Sequence, residues 1–392
     1  MKICFFQLKI QDDGSSKALL NLLSSLKDLE YEILVVLARK SVYCEYLQKA
    51  GIEYILYPFR PSVYKFLDRK YARYILTPLA LIYTVIVNLK AILFLSKKLS
   101  NSHIDIIHTN VSTIHVGYFI SKILSIPHIW HLRELQGTQY SSKPLLSMQY
   151  MKHLCLKSYN ICVSKTVFQC YGCDKLNSSV IYDGVKSGLS SHEYGSNRRA
   201  KRLLFVGRIE KSKGVEMLLE GYSRFIKDYS ANLELWFIGG GEDKYIKFLQ
   251  ERANKNQVGH LVKFIGIRSD VGKIMQGSLA TIVSSFSEGF GLVLVESMLS
   301  KCYVIGYNVE GTKELLDNVD SYCKSILSNR YLDAEELAFQ LNKLWQISDK
   351  EYQANVDKVY NAAQNLYDEK NNISQILSFY DLVLTKKHKK ES

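Results

Sequence analysis

Two glutamates eight residues apart, Glu288 and Glu296, flank a glycine-containing turn in the stretch SSFSEGFGLVLVESM, Ser284 to Met298. An apolar run, Leu279 to Ser285, leads into this turn and another apolar run follows it. If the segment between the acids is mostly helical, it spans about 12 Å at 1.5 Å per residue. That is the separation of a sugar ring from the ribose of a nucleotide diphosphate sugar. Glu288 ahead of the helix and Glu296 inside it then suit the hydroxyls at the two ends. Two more turns add a second chemistry. FVGRIEKSKGVEMLLEGY puts Arg208 and Lys213 between an apolar run and a helical pattern, and LWFIGGGEDKY puts Gly239 to Gly241 at the same kind of junction. Gly289 and Gly291 stand where the helix bearing Glu296 begins. Glycine lets backbone N–H groups approach a ligand, and helix N-termini favour anions. With two cations nearby, the combination points to a diphosphate site.

Parallel strands covered on both faces are what place such turns together. MKICFFQL, YEILVVLA, IEYILY, IDIIHTN, PHIWHL and YNICVS read as six strands, nearly all apolar rather than alternating. Between most of them lie segments such as SSKALLNLLSSLKDLE, with apolar residues at i, i+3, i+4 and i+7. After a polar stretch, Lys186 to Lys201, the pattern restarts with RLLFVG, LELWFIG, LVKFIG, LATIVSS and YVIGYN. Alternating strands and helices imply an α/β fold of two Rossmann-like domains. We expect them to face each other across a cleft, with ligands at the carboxyl ends of the strands. The expected division is residues 1–185, residues 200–370, and a crossing helix with a basic tail over 371–392.

The chain has 392 residues, 47% of them hydrophobic and 23% charged, with a net charge of +13. Residues 1–185 hold 22 Lys and Arg against 12 Asp and Glu, a net +10, while the remainder holds 29 against 26, a net +3. This asymmetry indicates an anionic surface partner for the first domain. Residues 62–98 concentrate it: Lys65, Arg69, Lys70 and Arg73 precede an uncharged run from Tyr74 to Leu89. Lys90, Pro78 and Asn88 argue against a spanning helix, so the expectation is peripheral binding to an anionic membrane. A pair of core helices is the alternative for this segment. A nucleic-acid partner is excluded because apolar runs replace the polar spacing such a surface needs. The opening MKICFFQLKIQDDG reads as a first strand rather than a signal peptide, and eight cysteines then fit a reducing cytoplasm. Cys170 and Cys173 form one CxxC without a second pair at zinc spacing, and no Asp-x-Asp occurs, so no metal or cofactor is expected.

The stretch E-G-F-G-L-V-L-V-E resembles the E-x7-E motif of the retaining glycosyltransferases with two Rossmann-like domains (GT-B), and more narrowly their fourth sequence family. F-V-G-R-I-E-K-S-K-G resembles that family's phosphate segment, F-I-G-G-G its next turn, and K-F-I-G-I-R-S-D, with Arg268, the segment that contacts the base. D-D-G-S-S-K-A-L-L resembles its N-terminal glycine loop, H-I-W-H-L-R-E its strand with a cleft-facing histidine, and V-I-Y-D-G-V its domain-closing stretch. The resemblance implies that Arg208 and Lys213 neutralise the diphosphate and that Glu296 holds the ribose. It implies that Glu288, Gly289 and the backbone of Phe290, Gly291 and Leu292 grip the transferred sugar and its phosphate, beside Gly239. Gly14 lets the first domain approach the donor, and His131 contacts the sugar. The implied activity is a retaining, metal-independent transfer from a nucleotide diphosphate sugar to a polysaccharide or lipid-linked oligosaccharide. Its implied setting is bacterial surface glycan synthesis at the inner face of the plasma membrane. A sugar-nucleotide epimerase and a non-catalytic sugar-nucleotide-binding module are the alternatives. Ser284-Ser285 stands where the family commonly has Pro-Ser, and Lys301 to Val304 where it has Gly-x-Pro-Val. These departures bear on loop shape and donor identity.

Overall fold

The structure, a computed structural model, describes residues 1–9, 14–41, 43–65, 70–136, 142–145, 147–186, 200–325, 327 and 329–391. Asp12 and Asp13 of the glycine loop, Arg69 of the basic lead and most of the polar stretch between the two halves lie outside the described residues. So do the side chains of Lys65, Lys70 and Arg73 and those of the last five residues. The chain divides into two compact units, residues 1–184 with 370–392, and residues 185–369.

In the first unit nine strands are described: β1 (Lys2–Gln7), β2 (Glu32–Leu37), β3 (Glu53–Leu56), β4 (Val63–Lys65), β5 (Ile106–Asn110), β6 (His128–Leu132), β7 (Ser142–Pro144), β8 (Tyr159–Cys162) and β9 (Ser178–Val180). Seven build a parallel sheet in the order β3-β2-β1-β5-β6-β8-β9. Helices cover both faces, so β5 and β6 at its centre are buried at every residue, the polar His108, Thr109, Asn110, His128 and His131 included. All six strands expected here are present. β9 and the antiparallel pair β4–β7 were not expected: each is three residues long, too short for periodicity to register.

The helix Lys70–Leu99 contains Pro78. Ala91, Ile92, Leu95 and Leu99 join the core on one side, while Leu79, Ile82, Ile86, Leu89 and Leu93 are exposed on the other. Within Pro78–Leu99 the most apolar stretch of 18 residues has a mean hydropathy of 2.1, and 28% of it is buried. Asn88, which weakens the apolar run in the sequence, binds the chain beside the helix: its Oδ1 accepts from Arg60 N–H at 2.8 Å and its Nδ2 donates to Arg60 O at 3.1 Å.

The second unit holds a six-stranded parallel sheet: β10 (Ala200–Val206), β11 (Glu234–Ile238), β12 (Val262–Gly266), β13 (Ser278–Val283), β14 (Tyr303–Tyr307) and β15 (Asn329–Tyr331), in the order β12-β11-β10-β13-β14-β15. Leu203, Phe205, Leu235, Phe237, Ile282 and Ile305 form its core with the helices Val215–Tyr229 and Ala334–Gln346. Asp333 caps the latter, accepting from Glu335 N–H and Glu336 N–H. Two Rossmann-like parallel sheets, as expected, make up the fold. The last helix, Glu369–Glu391, returns the chain to the first unit, where Ile373, Ile376, Phe379, Tyr380 and Val383 enter the core with Ile3, Phe5 and Leu19.

Candidate functional site

Strand order decides where chemistry collects in the second unit. From β10 the connections run one way to β11 and β12, and from β13 the other way to β14 and β15. The order therefore reverses between β10 and β13, and ligands of open α/β sheets bind at the carboxyl ends beside such a reversal. Arg208 and Lys213 follow β10, and Glu288 follows β13. Lys213 Nζ donates to Glu288 Oε1 at 2.6 Å, across 75 positions of sequence, with side chains 19% and 15% exposed.

Backbone contacts hold the two turns in register. Ser284 Oγ donates to Lys213 O at 2.7 Å, and Phe286 N–H donates to Ser212 O at 3.2 Å. Gly214 has φ +64°, and a Cβ there would stand 1.9 Å from Ser284 O, so only glycine allows the turns to approach this closely. The turn after β11 is tied in as well: Ile209 N–H donates to Gly240 O at 2.8 Å. Gly239 has φ +142°, and its missing Cβ would lie 1.9 Å from Gly207 O.

Two helices start here. Gly214 precedes Val215–Tyr229, and Gly291, with φ +98°, precedes Leu292–Leu299. Each leaves N–H groups without intrahelical partners beside the Lys213–Glu288 pair, and each end carries about half a positive charge. Glu296 lies in the middle of the second helix, half-buried. Phe290 is buried edge-on against Tyr367 at 5.9 Å between ring centroids, while Leu292 is half-buried. Arg208 is 57% exposed and pairs with Glu210 at 3.4 Å. Arg268, after β12, is exposed and pairs with Asp270 at 2.7 Å. The structure thus brings Lys213, Glu288, Gly289 and Gly291 together and gives Arg208 and Arg268 acidic neighbours within their own turns.

Gly14 and His131 belong to the first unit. Gly14 opens the helix Gly14–Asp28 after β1, and Asn110, at the end of β5, donates from Nδ2 to Ser15 O at 3.3 Å. His131 is wholly buried in a polar chain that the sequence did not disclose. Arg133 contacts His131 Nδ1 at 3.3 Å, and a guanidinium only donates, so Nδ1 is an acceptor. His108 Nε2, 3.2 Å from the same atom, then carries a proton, and His108 Nδ1 accepts from Tyr380 O–H at 2.7 Å. Arg133 is anchored by both oxygens of Asp183 at 2.5 Å and by Asn110 Oδ1 at 2.6 Å. Burial, then the Arg133 charge, pushes His108 down to about 3 and holds His131 well below the usual histidine range. Both rings are neutral, and His131 keeps its proton on Nε2, 4.0 Å from Asp183 Oδ1.

Residues 189–365 match the family model for glycosyl transferases group 1. An uncharacterized glycosyltransferase of Methanocaldococcus jannaschii is 32% identical over 225 residues, 56% of this chain and 60% of that protein. The chain spans the same 60% of a second glycosyltransferase from that organism. The N,N'-diacetylbacillosaminyl-diphospho-undecaprenol alpha-1,3-N-acetylgalactosaminyltransferase of Campylobacter jejuni is 24% identical, with 93% of this chain and 94% of that one aligned. The solved structure of Anabaena HepE in complex with UDP matches with a TM-score of 0.74 at 18% identity, covering 96% of this chain and 99% of that one. At that identity the likeness is one of fold.

Proposed function

We propose that the chain is a glycosyl transferase of group 1, the family whose model matches residues 189–365, and that it moves a sugar from a nucleotide diphosphate donor to a glycan or lipid-linked acceptor. The observation that carries the reading is the Lys213–Glu288 pair at the strand-order reversal, flanked by two helix N-termini. In the free protein Glu288 occupies Lys213. An incoming diphosphate competes for the ammonium, and Glu288 is released to accept from the hydroxyls of the sugar. As the glycosidic bond breaks, negative charge grows on the departing diphosphate, and Lys213, Arg208 and the N-terminus of Leu292–Leu299 stabilise it. These protein cations do the work a metal ion does in other transferases. Glu296, one helix turn further along, binds the ribose. Transfer proceeds with retention, the leaving phosphate assisting removal of the acceptor's proton from the same face.

A lipid-linked acceptor is favoured by the name of the Campylobacter jejuni relative and by the exposed apolar face of Lys70–Leu99, with Lys90, Lys97 and Lys98 along it. That helix rests in the interface of an anionic cytoplasmic leaflet, apolar residues inward and lysines on the headgroups. A thermal-shift panel of nucleotide sugars tests the assignment. A true donor at 100 times its Kd adds about 2.7 kcal/mol to the stability of the protein. A panel in which no nucleotide sugar raises the melting temperature contradicts it.

A further inference from the structure

A third acid reaches the Glu288 turn, and it adopts an unfavourable backbone to do so. Glu310 begins the helix Glu310–Cys323 with φ +46°. In this left-handed region a Cβ crowds the following carbonyl oxygen, and glycine is the residue that fits at least cost. Ser125, Ser230 and Lys324 share the conformation, but they end helices, where a left-handed residue is the ordinary terminator. Glu310 starts one. A non-glycine residue kept in such a conformation points to a use for its side chain.

Its contacts show that use. The N–H of Glu288 donates to Glu310 Oε2 at 3.2 Å, and the N–H of Gly311 donates to the carbonyl of Glu288 at 3.0 Å. The turn after β14 therefore grips Glu288 by both backbone groups while its side chain meets Lys213. Two electrostatic consequences follow. The Glu288 N–H is already satisfied by a carboxylate and is withdrawn from any incoming anion. The groups gathered there, Glu288, Glu310 and Lys213, sum to one net negative charge, and the carboxylates stand toward the end of the site assigned to the sugar.

We propose that Glu310 is a specificity-determining residue for the transferred sugar, admitting neutral glycosyl groups that present hydroxyl or amide N–H donors and rejecting glycosyl groups that carry a carboxylate. The inference rests on the donor-site reading above. Unlike Lys213, which meets the diphosphate common to every donor, Glu310 discriminates among sugars on a constant nucleotide.

The test uses the full chain and calorimetric titration with UDP, UDP-glucose and UDP-glucuronate, which differ at one sugar carbon. In the native protein the uronate binds more weakly than the neutral sugar by at least about tenfold, the ratio that ~1.4 kcal/mol of repulsion produces. Glu310→Gln removes the charge and keeps the shape, and it narrows that ratio by about tenfold while UDP itself binds unchanged. Glu310→Gly narrows it equally without lowering the melting temperature, since glycine suits the backbone. A ratio unchanged in both variants overturns the inference and leaves the donor site standing. A ratio that moves only in Glu310→Gly, together with a fallen melting temperature, also overturns it, because the residue is then only a backbone brace. Absence of binding by UDP and both sugars, and by GDP, ADP and dTDP with their sugar derivatives, overturns the donor site and this inference together.

Discussion

Replacing Lys213 with methionine separates the two roles of the Lys213–Glu288 pair. Methionine keeps most of the alkyl stem and removes the ammonium, leaving the Glu288 carboxylate 15% exposed and without its 2.6 Å partner. Removing one member of a fully buried pair costs about 3–5 kcal/mol, and exposed pairs contribute about 0–1 kcal/mol. This pair lies between those limits, so Lys213→Met destabilises the second unit by about 2 kcal/mol. For a unit of this size that is a fall of roughly 4–8 °C in melting temperature. Adding Glu288→Gln removes the stranded charge and recovers most of the loss. Turnover behaves differently. Lys213→Met slows nucleotide diphosphate release by about 10²- to 10³-fold, the usual effect of deleting one group that stabilises developing negative charge. The double variant stays slow because the cation is still missing. Scanning calorimetry and a coupled assay of diphosphate release on the same four proteins complete the cycle. Recovery of turnover in step with stability would refute the reasoning, since the pair would then be a structural pin alone.

Gly239→Ala places a methyl group 1.9 Å from Gly207 O at φ +142°; it should cost about 1–3 kcal/mol by calorimetry and weaken donor binding, and native behaviour would contradict the turn geometry. The buried neutral histidines His108, His115, His128 and His131 take up protons only on unfolding, with His108 pushed down to about 3 and His115 to about 4 by burial. Their stabilisation is therefore complete above pH ~6.5 and lost as pH falls toward those depressed values, at ~1.4 kcal/mol per pH unit for each ring. A melting temperature that stays flat from pH 7.5 to 5 would be incompatible with neutral burial. Serine at Ile82, Leu89 and Leu93, all exposed on Lys70–Leu99, should lower co-sedimentation with anionic vesicles by at least about tenfold while the melting temperature holds. Equal vesicle binding would remove that helix from the membrane.

The sheets were legible because burial on both faces leaves apolar runs such as ICFF in β1, ILVVL in β2 and LWFI in β11, each bounded by polar segments. The strands that escaped, such as NRY at β15 and SSV at β9, are three residues long and add no run that differs from a loop. The turns with Arg208, Lys213 and Glu288 could be named from composition, but nothing in sequence pairs Lys213 with Glu288, because strand order alone brings positions 75 apart together. His131 illustrates the opposite limit. Its strand was evident and Arg133 stands two residues on, yet His108, Asp183 and Tyr380, which complete the enclosure, come from three other segments of the chain. Glu310 left one signal, an acid followed by glycine after a strand, and its meaning appears only in the backbone angle.

The most direct measurement is the affinity of a nucleoside diphosphate for the native chain and for Lys213→Met, taken by titration calorimetry across several bases. The account predicts that at least one base binds the native protein and that the substitution weakens it by about 100-fold, near 2.7 kcal/mol. Equal affinity in the two proteins, or no binding of any nucleoside diphosphate to the native chain, would contradict it.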